Sequence, residues 1–294
     1  MPKEKGHSLW RDVWQRLRAN KMAMVCLVIV VFFTLLAVYG EAVYLYHHIN
    51  DKTPEYQTVY LDNHDHPPSV QHWMGTDGLG RDVLARLVQG TRIAYSVGII
   101  TSLIAIPIGV ILGCLAGYFG GRVDDFIVWL YSTFASMPGL LFILAIAMVV
   151  PGQGLLGVYL GIGLTTWVGL CRLVRGEVMK HKEQTYVQAA KALGLSSGRI
   201  MFKHILPNIM HVVIVTFTLR FPAAVGTEVF MSFLGIGVQD QPSWGLMINS
   251  ARQRLWQGMW WEMTFVTIAL FLLVLAFNLL GDALRDAMDP KLND

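Results

Sequence analysis

Chemistry needs side chains that ionise, ligate or attack, and in this sequence such residues gather in three places. Residues 47–74 hold His47, His48, His64, His66 and His72, with His-Asp-His-Pro-Pro at 64–68. Imidazoles at His-x-His spacing can ligate a divalent ion, but two of them on a Pro-rich stretch make a poor closed site, so the segment reads as a solvated loop with no metal. Gly75, Gly78 and Gly80 invite comparison with a phosphate-cradling loop. No strand pattern precedes them and their spacing is not GxGxxG, so Thr76 or Asp77 reads instead as a helix cap or turn residue. The third group, His211, Arg220 and Glu228, lies in an otherwise apolar run. The chain has neither the GxxxxGK[ST] of a nucleotide hydrolase nor the HExxH of a zinc hydrolase, and no catalytic residue is assigned.

The elements that would position these groups are apolar. Hydrophobic residues make up 54% of 294, and the mean hydropathy is +0.48, more apolar surface than a soluble domain of this size can bury. The chain reads as a membrane protein. Its net charge of +3 sits beside apolar runs, as membrane topology requires, and no nucleic-acid partner is inferred. Cys26, Cys114 and Cys171 fall in or beside apolar segments and read as small core residues without a disulfide framework.

Apolar windows long enough to cross a bilayer occur at about 22–46, 93–118, 126–150, 155–174, 208–236 and 260–281. Ahead of them, Leu9, Trp10, Val13, Trp14 and Leu17 share one helical face, predicting an interfacial helix. The apolar run that follows is long and lacks a small-residue cleavage site, so the first span is expected to remain. Basic residues concentrate at 3–21 and 172–203, which places both termini and the second of these segments in the cytoplasm by the positive-inside rule.

Arg220 and Glu228 stand eight positions apart, about 12 Å along a helix, so each must look for a partner elsewhere, either in packing or along a translocation path. Pro138 and Pro222 are expected to kink the third and fifth spans. No set of buried carboxylates or symmetrical broken helices marks a self-powered carrier. The motive force is therefore expected from another chain.

Residues 186–208 read YVQAAKALGLSSGRIMFKHILPN, a long polar cationic stretch between two spans. Gln188-Ala189-Ala190, Gly194 and Ile205-Leu206-Pro207 resemble the EAA loop of permease subunits in ATP-binding-cassette importers, with Gln188 where that family's glutamate is usual. The start SLWRDVWQRLRANKMAMV and segments 75–98, 228–248 and 276–292 are similar to the dipeptide, oligopeptide and nickel branch of these permeases, in the same order.

The resemblance implies an all-α, polytopic protein of six transmembrane helices with the architecture of a type I ABC importer permease. Its parts would be a cytoplasmic amphipathic helix at 1–21, a first span at 22–46, a periplasmic insert with an amphipathic segment at 47–92, and a five-helix core at 93–284 followed by a cytoplasmic tail at 285–294. The core carries a coupling loop at 175–207.

In that loop Tyr186, Gln188, Ala189, Ala190, Ala192, Gly194, Leu195, Ser196 and Pro207 would meet an ATPase: paired alanines permit close approach, Gly194 turns the helix, and Pro207 starts the next span. Gly75, Thr76, Asp77, Arg81 and Asp82 would belong to an external entrance segment whose apolar stripe, Val83, Leu84, Leu87 and Val88, lies on the membrane surface with Asp82, Arg86 and Gln89 facing away. Arg220, Pro222, Glu228 and Pro138 are candidates for path or packing.

The implied partners are a homologous permease, two ATPases holding ATP and Mg, an external binding protein and lipid, with no cofactor on this chain. The implied location is the bacterial inner membrane, and the implied cargo is a peptide, with nickel or glutathione as alternatives. A self-powered carrier or channel is the competing class, ahead of a membrane enzyme.

Overall fold

The computed structural model describes residues 9–150 and 154–288. Its helices are α1 (Leu9–Ala19), α2 (Lys21–Ile49), α3 (Val83–Phe119), α4 (Gly121–Ala135), α5 (Gly139–Val149), α6 (Leu155–Thr165), α7 (Val168–Lys182), α8 (Thr185–Ala192), α9 (Ser197–Arg199), α10 (Met210–Phe233), α11 (Trp244–Leu255) and α12 (Trp261–Met288). Among the described residues there is no strand, only an isolated bridge between Thr76 and Asp82. The protein is an all-α polytopic membrane protein. Five helical stretches are long and apolar enough to cross a bilayer, and α4 with α5 supplies a sixth when counted as one span. Of the expected N-terminal helix at 1–21 and tail at 285–294, residues 1–8 and 289–294 lie outside the described residues.

Three boundaries depart from the sequence reading. The third span is not a kinked helix but two helices bent by 89°, because the residue before a proline is pushed out of the helical region and Pro138 has no N–H to continue the ladder. Pro222, by contrast, lies inside an unbroken α10, as Pro107 does in α3. The second span starts at Val83, ten residues earlier than hydropathy indicates, capped by Asp82 Oδ1 accepting from the Ala85 amide at 2.8 Å. No amphipathic surface segment precedes it. Arg86 and Gln89 are buried along with Val83 and Leu87, because both faces of this first turn meet protein. The last helix runs to Met288, so the proposed tail at 285–294 begins as helix.

α3 is the central element. Gly109, Gly113 and Gly117 recur every fourth residue on the face that meets α7, and a Cβ on Gly113 would stand 2.8 Å from the Cys171 carbonyl oxygen. Lipid tails are as apolar as leucine, so helices in a bilayer associate through close packing that small residues permit. Another face of α3 carries Tyr95, whose ring lies edge-on to Phe221 of α10 at 5.1 Å, while Phe221 stacks on Phe277 of α12 at 4.1 Å. α2 packs on α3 and α12 through Phe33 and Ala37 and leaves Val28, Phe32 and Leu35 exposed on the far side. α1 docks beside α12 through buried Leu17.

Candidate functional site

The segment from α8 to α10 forms a hairpin projecting at the end of the bundle where α3 and α7 finish. α8 stops because Gly194 takes a left-handed φ of 73°. The Leu195 amide then reaches the Ala190 carbonyl at 3.2 Å and the Gly194 amide the Lys191 carbonyl at 2.9 Å. That pair of bonds closes the helix end and folds Leu195 back onto the core. Val187 and Ala190 are buried in a cluster with Val178, Ile200, Met201 and Ile205. Gln188, Ala189, Ala192 and Gly194 are exposed, and so is Leu193, at 81%. The two alanines therefore have different surroundings: Ala190 makes the close intrachain approach and Ala189 faces outward.

Gln188 Nε2 donates to the Lys182 carbonyl at 3.2 Å, at the end of α7. A glutamate there could not donate, so the substitution replaces a charge by a tether between α7 and α8. The Tyr118 ring of α3 lies beneath Lys182 and Lys191, at 6.0 and 5.8 Å, and the Tyr186 hydroxyl meets His181 Nδ1 at 2.9 Å. Partial burial raises the Tyr186 phenol pKa, against the Asn208 side chain that lowers it.

Pro207 does not begin the next membrane helix. Residues Ile200–Ile205 form a π-helical turn and Leu206–Ile209 a 3-10 turn before α10. Asn208 Nδ2 donates back to the His204 carbonyl at 2.6 Å. Short π segments are departures from ordinary helix, often found at functional sites. Gly194-Leu195-Ser196-Ser197-Gly198 has the spacing of a nucleophile elbow, GxSxG. It joins two helices with no strand before it, and among the described residues no imidazole bonds Ser196, so the context required of such an elbow is missing.

Arg220 and Glu228 do not pair. Arg220 donates to the Thr166 carbonyl and, at 2.6 Å, to its hydroxyl, at the junction where α6 gives way to α7. Glu228 is 1% exposed and accepts from the Ser232 hydroxyl at 2.7 Å. Among the described residues no cation pairs with it. The Ser232 hydroxyl in turn accepts from the Val238 amide at 3.0 Å, so this group fastens the strap that links α10 to α11.

At the opposite end, Gly75–Asp82 is a tight turn wedged under the other loops. Buried Asp77 accepts from the Leu79 and Arg81 amides and from Arg81 Nε at 2.8 Å, and lies 3.4 Å from Arg86 Nε. Trp261 Nε1 donates to the Thr76 carbonyl at 3.0 Å. Gly80, at φ 74°, lies where a Cβ would strike the Tyr60 carbonyl oxygen. Arg254 bridges Asp65, at 2.7 Å, and Glu262. Burial pulls the Arg254 guanidinium pKa down, but the carboxylates of Glu262 and Asp65 together hold it above its ordinary value.

Sequence reasoning missed Arg254, Glu262 and Asp65: Arg254 and Asp65 are 189 residues apart and leave no spacing signal, and Arg254 and Glu262, eight apart, lie on different helices, α11 and α12. Of the loop histidines, His72 meets Asp82 at 2.8 Å and His64 meets the Leu61 carbonyl at 2.7 Å. Among the described residues no three His, Cys, Asp or Glu side chains converge to hold a metal.

Residues 109–294 match the family described as binding-protein-dependent transport system inner membrane component, and residues 8–68 match the N-terminal TM domain of oligopeptide transport permease C. The chain is 39% identical to the oligopeptide transport system permease protein OppC of Bacillus subtilis over 98% of this chain and 92% of that protein. It is 41% identical to the dipeptide transport system permease protein DppC of the same organism, over 97% and 87%. It is 36% identical to the glutathione transport system permease protein GsiD of Pectobacterium atrosepticum, over 96% and 91%. Among solved structures, the fold is shared with a chain of the inward-facing MetNI methionine ABC transporter at a TM-score of 0.54 and 18% identity, covering 70% of this chain and 96% of that one.

Proposed function

The chain belongs to the family of binding-protein-dependent transport system inner membrane components, in its peptide-permease branch, and we propose that it is the non-catalytic permease subunit of an ATP-driven importer of short peptides. The observation that carries this reading is the hairpin around Gly194. Its outer surface, Tyr186, Gln188, Ala189, Ala192 and Leu193, is exposed while Val187 and Ala190 root it among the helices of the bundle. A surface exposed on one side and embedded in the core on the other can pass a partner's motion to the membrane helices. The partners are two ATPase subunits holding ATP and Mg, a second homologous permease, and a binding protein on the outside. Both termini and the hairpin face the cytoplasm, which the distribution of basic residues supports.

On ATP binding the ATPases close and carry the hairpin with them, and the bundle shifts from inward-open to outward-open. Work is possible only if the hairpin contacts the two ATPase states differently, since equal affinity for both would shift nothing. Arg81, Asp77 and the turn they brace support an entrance on the opposite side. The names of the similar permeases support dipeptides, oligopeptides or glutathione as cargo. The test is crosslinking: cysteines at Ala189 and Leu193, placed in a chain freed of its native cysteines, should crosslink to a co-purified ATPase in an ATP-dependent manner. Labelling by a water-soluble maleimide with no crosslink in any nucleotide state would overturn the reading.

A further inference from the structure

At the end of the molecule away from the hairpin, a cavity of about 350 Å³ opens between the last turn of α2, residues 51–57 and residues 240–241. Neither the hairpin nor the Asp77 turn uses it. We propose that it is a binding site for a small zwitterion with one ammonium and one carboxylate, such as a free amino acid or a short peptide.

The size suits such a ligand, for small-molecule sites begin at roughly 300 Å³. Its walls carry both signs of charge: the Lys52 ammonium with the Asp51 and Asp240 carboxylates. Among the described residues none of these three is engaged in an ion pair. A plain anion would meet one partner and two repulsions and a plain cation two partners and one repulsion, whereas a zwitterion gives the ammonium and the carboxylates each an opposite charge. Convergence on a metal ion is absent among the described residues, although His47 and His48 line the cavity. His47 turns its Nδ1 to the Val43 carbonyl at 2.8 Å.

The cavity is also built rather than incidental. Asp51 adopts a left-handed φ of 48° at the end of α2, with the Lys52 amide closing on the His47 carbonyl at 3.0 Å. Aspartate is one of the few residues besides glycine that adopt this backbone readily, and its carboxylate thereby stands at the end of the helix. Tyr44 forms part of the wall, stacked on His48 at 5.8 Å and covered by the Arg92 guanidinium at 4.0 Å. Arg92 is itself buried, bonded to Gln241 and to Glu41 at 3.3 Å. These contacts tie α2, α3 and the strap after α10 into one platform, so the cavity does not depend on a single loop.

The choice of cargo chemistry rests on the peptide-importer reading, and the experiment separates the two. The full chain, co-purified with its accompanying subunits in lipid nanodiscs and without binding protein, is titrated calorimetrically with Ala-Ala and with its N-acetylated, C-amidated counterpart. Ala-Ala should bind and the blocked form should not. Lys52→Met and Asp240→Asn should each raise Kd about tenfold or more, the loss of one charge-assisted contact. Absence of Ala-Ala binding, equal binding of the blocked form, or unchanged Kd in both variants would overturn the site. Peptide uptake into proteoliposomes with binding protein present is measured in parallel. Uptake without cavity binding removes the site alone, whereas cavity binding without uptake upholds the site and removes the importer reading.

Discussion

Arg220 of α10 reaches across to Thr166, donating to its carbonyl and its hydroxyl at the point where α6 yields to α7. A helix interrupted within a bilayer leaves carbonyls that no water can satisfy, and protein groups must do so. Arg220 therefore holds an irregular joint together, and its charge is used locally. Arg220→Met should strip the Thr166 carbonyl of this donor and destabilise the chain by about 1–3 kcal/mol. The check is thermal melting of the detergent-solubilised complex, where an unchanged midpoint would assign Arg220 to the path instead.

The α3–α7 contact leads to a second expectation. A Cβ on Gly113 would meet the Cys171 carbonyl and the Val174 side chain, both at 2.8 Å. Gly113→Val should cost about 1–3 kcal/mol by overpacking and lower the yield of folded protein. Gly169, on α7, has open space around its Cβ position, so Gly169→Ala should be neutral or stabilising by up to about 1 kcal/mol. Equal loss in both variants would mean that the stripe of small residues does not set the helix approach.

Much of this architecture is legible in the sequence, and the exceptions have a common cause. The apolar windows locate the membrane helices because crossing hydrocarbon demands length and hydropathy regardless of tertiary context. They miss the first turns of α3, where Arg86 and Arg92 lower the local hydropathy although their partners Asp77 and Glu41 sit beside them in space. Pro138 marks a disruption in the sequence, but the 89° bend depends on where α5 then packs. Gly194 is legible as the turn of the hairpin, since few other residues accept its φ, whereas the tether from Gln188 to Lys182 depends on the angle between α7 and α8. The Arg254–Asp65 pair joins residues far apart in the chain, and Glu262 meets Arg254 across a change of helix, so neither contact leaves a periodic trace.

Glu228 offers a sharper test of what a buried carboxyl does here. Its side chain accepts from the Ser232 hydroxyl, and among the described residues no cation pairs with it. Glu228→Gln keeps the shape and a hydrogen-bonding oxygen, and should leave assembly and uptake near wild type. Glu228→Ala leaves the Ser232 hydroxyl without this acceptor and loosens the strap at Val238, at a cost of about 1–3 kcal/mol. Complex yield and uptake measured on both variants decide the matter: equal loss in Gln and Ala would mean that the negative charge itself is required.

Gly194→Trp probes the hairpin alone. No atom lies within 4 Å of the position a Cβ would take, so steric room exists inside the chain. The left-handed backbone would nonetheless be strained by roughly 1–2 kcal/mol, and an indole would stand on the exposed surface. The expected outcome is normal membrane insertion with ATP hydrolysis no longer coupled to uptake. Normal peptide uptake by this variant would separate the hairpin from coupling.

The most direct measurement is solute accumulation in sealed vesicles. With this chain alone, no peptide should concentrate against a gradient under a proton, sodium or ATP supply; with the second permease, the ATPases and the binding protein added, accumulation should appear and require ATP. Uphill uptake by vesicles holding this chain alone would contradict the account.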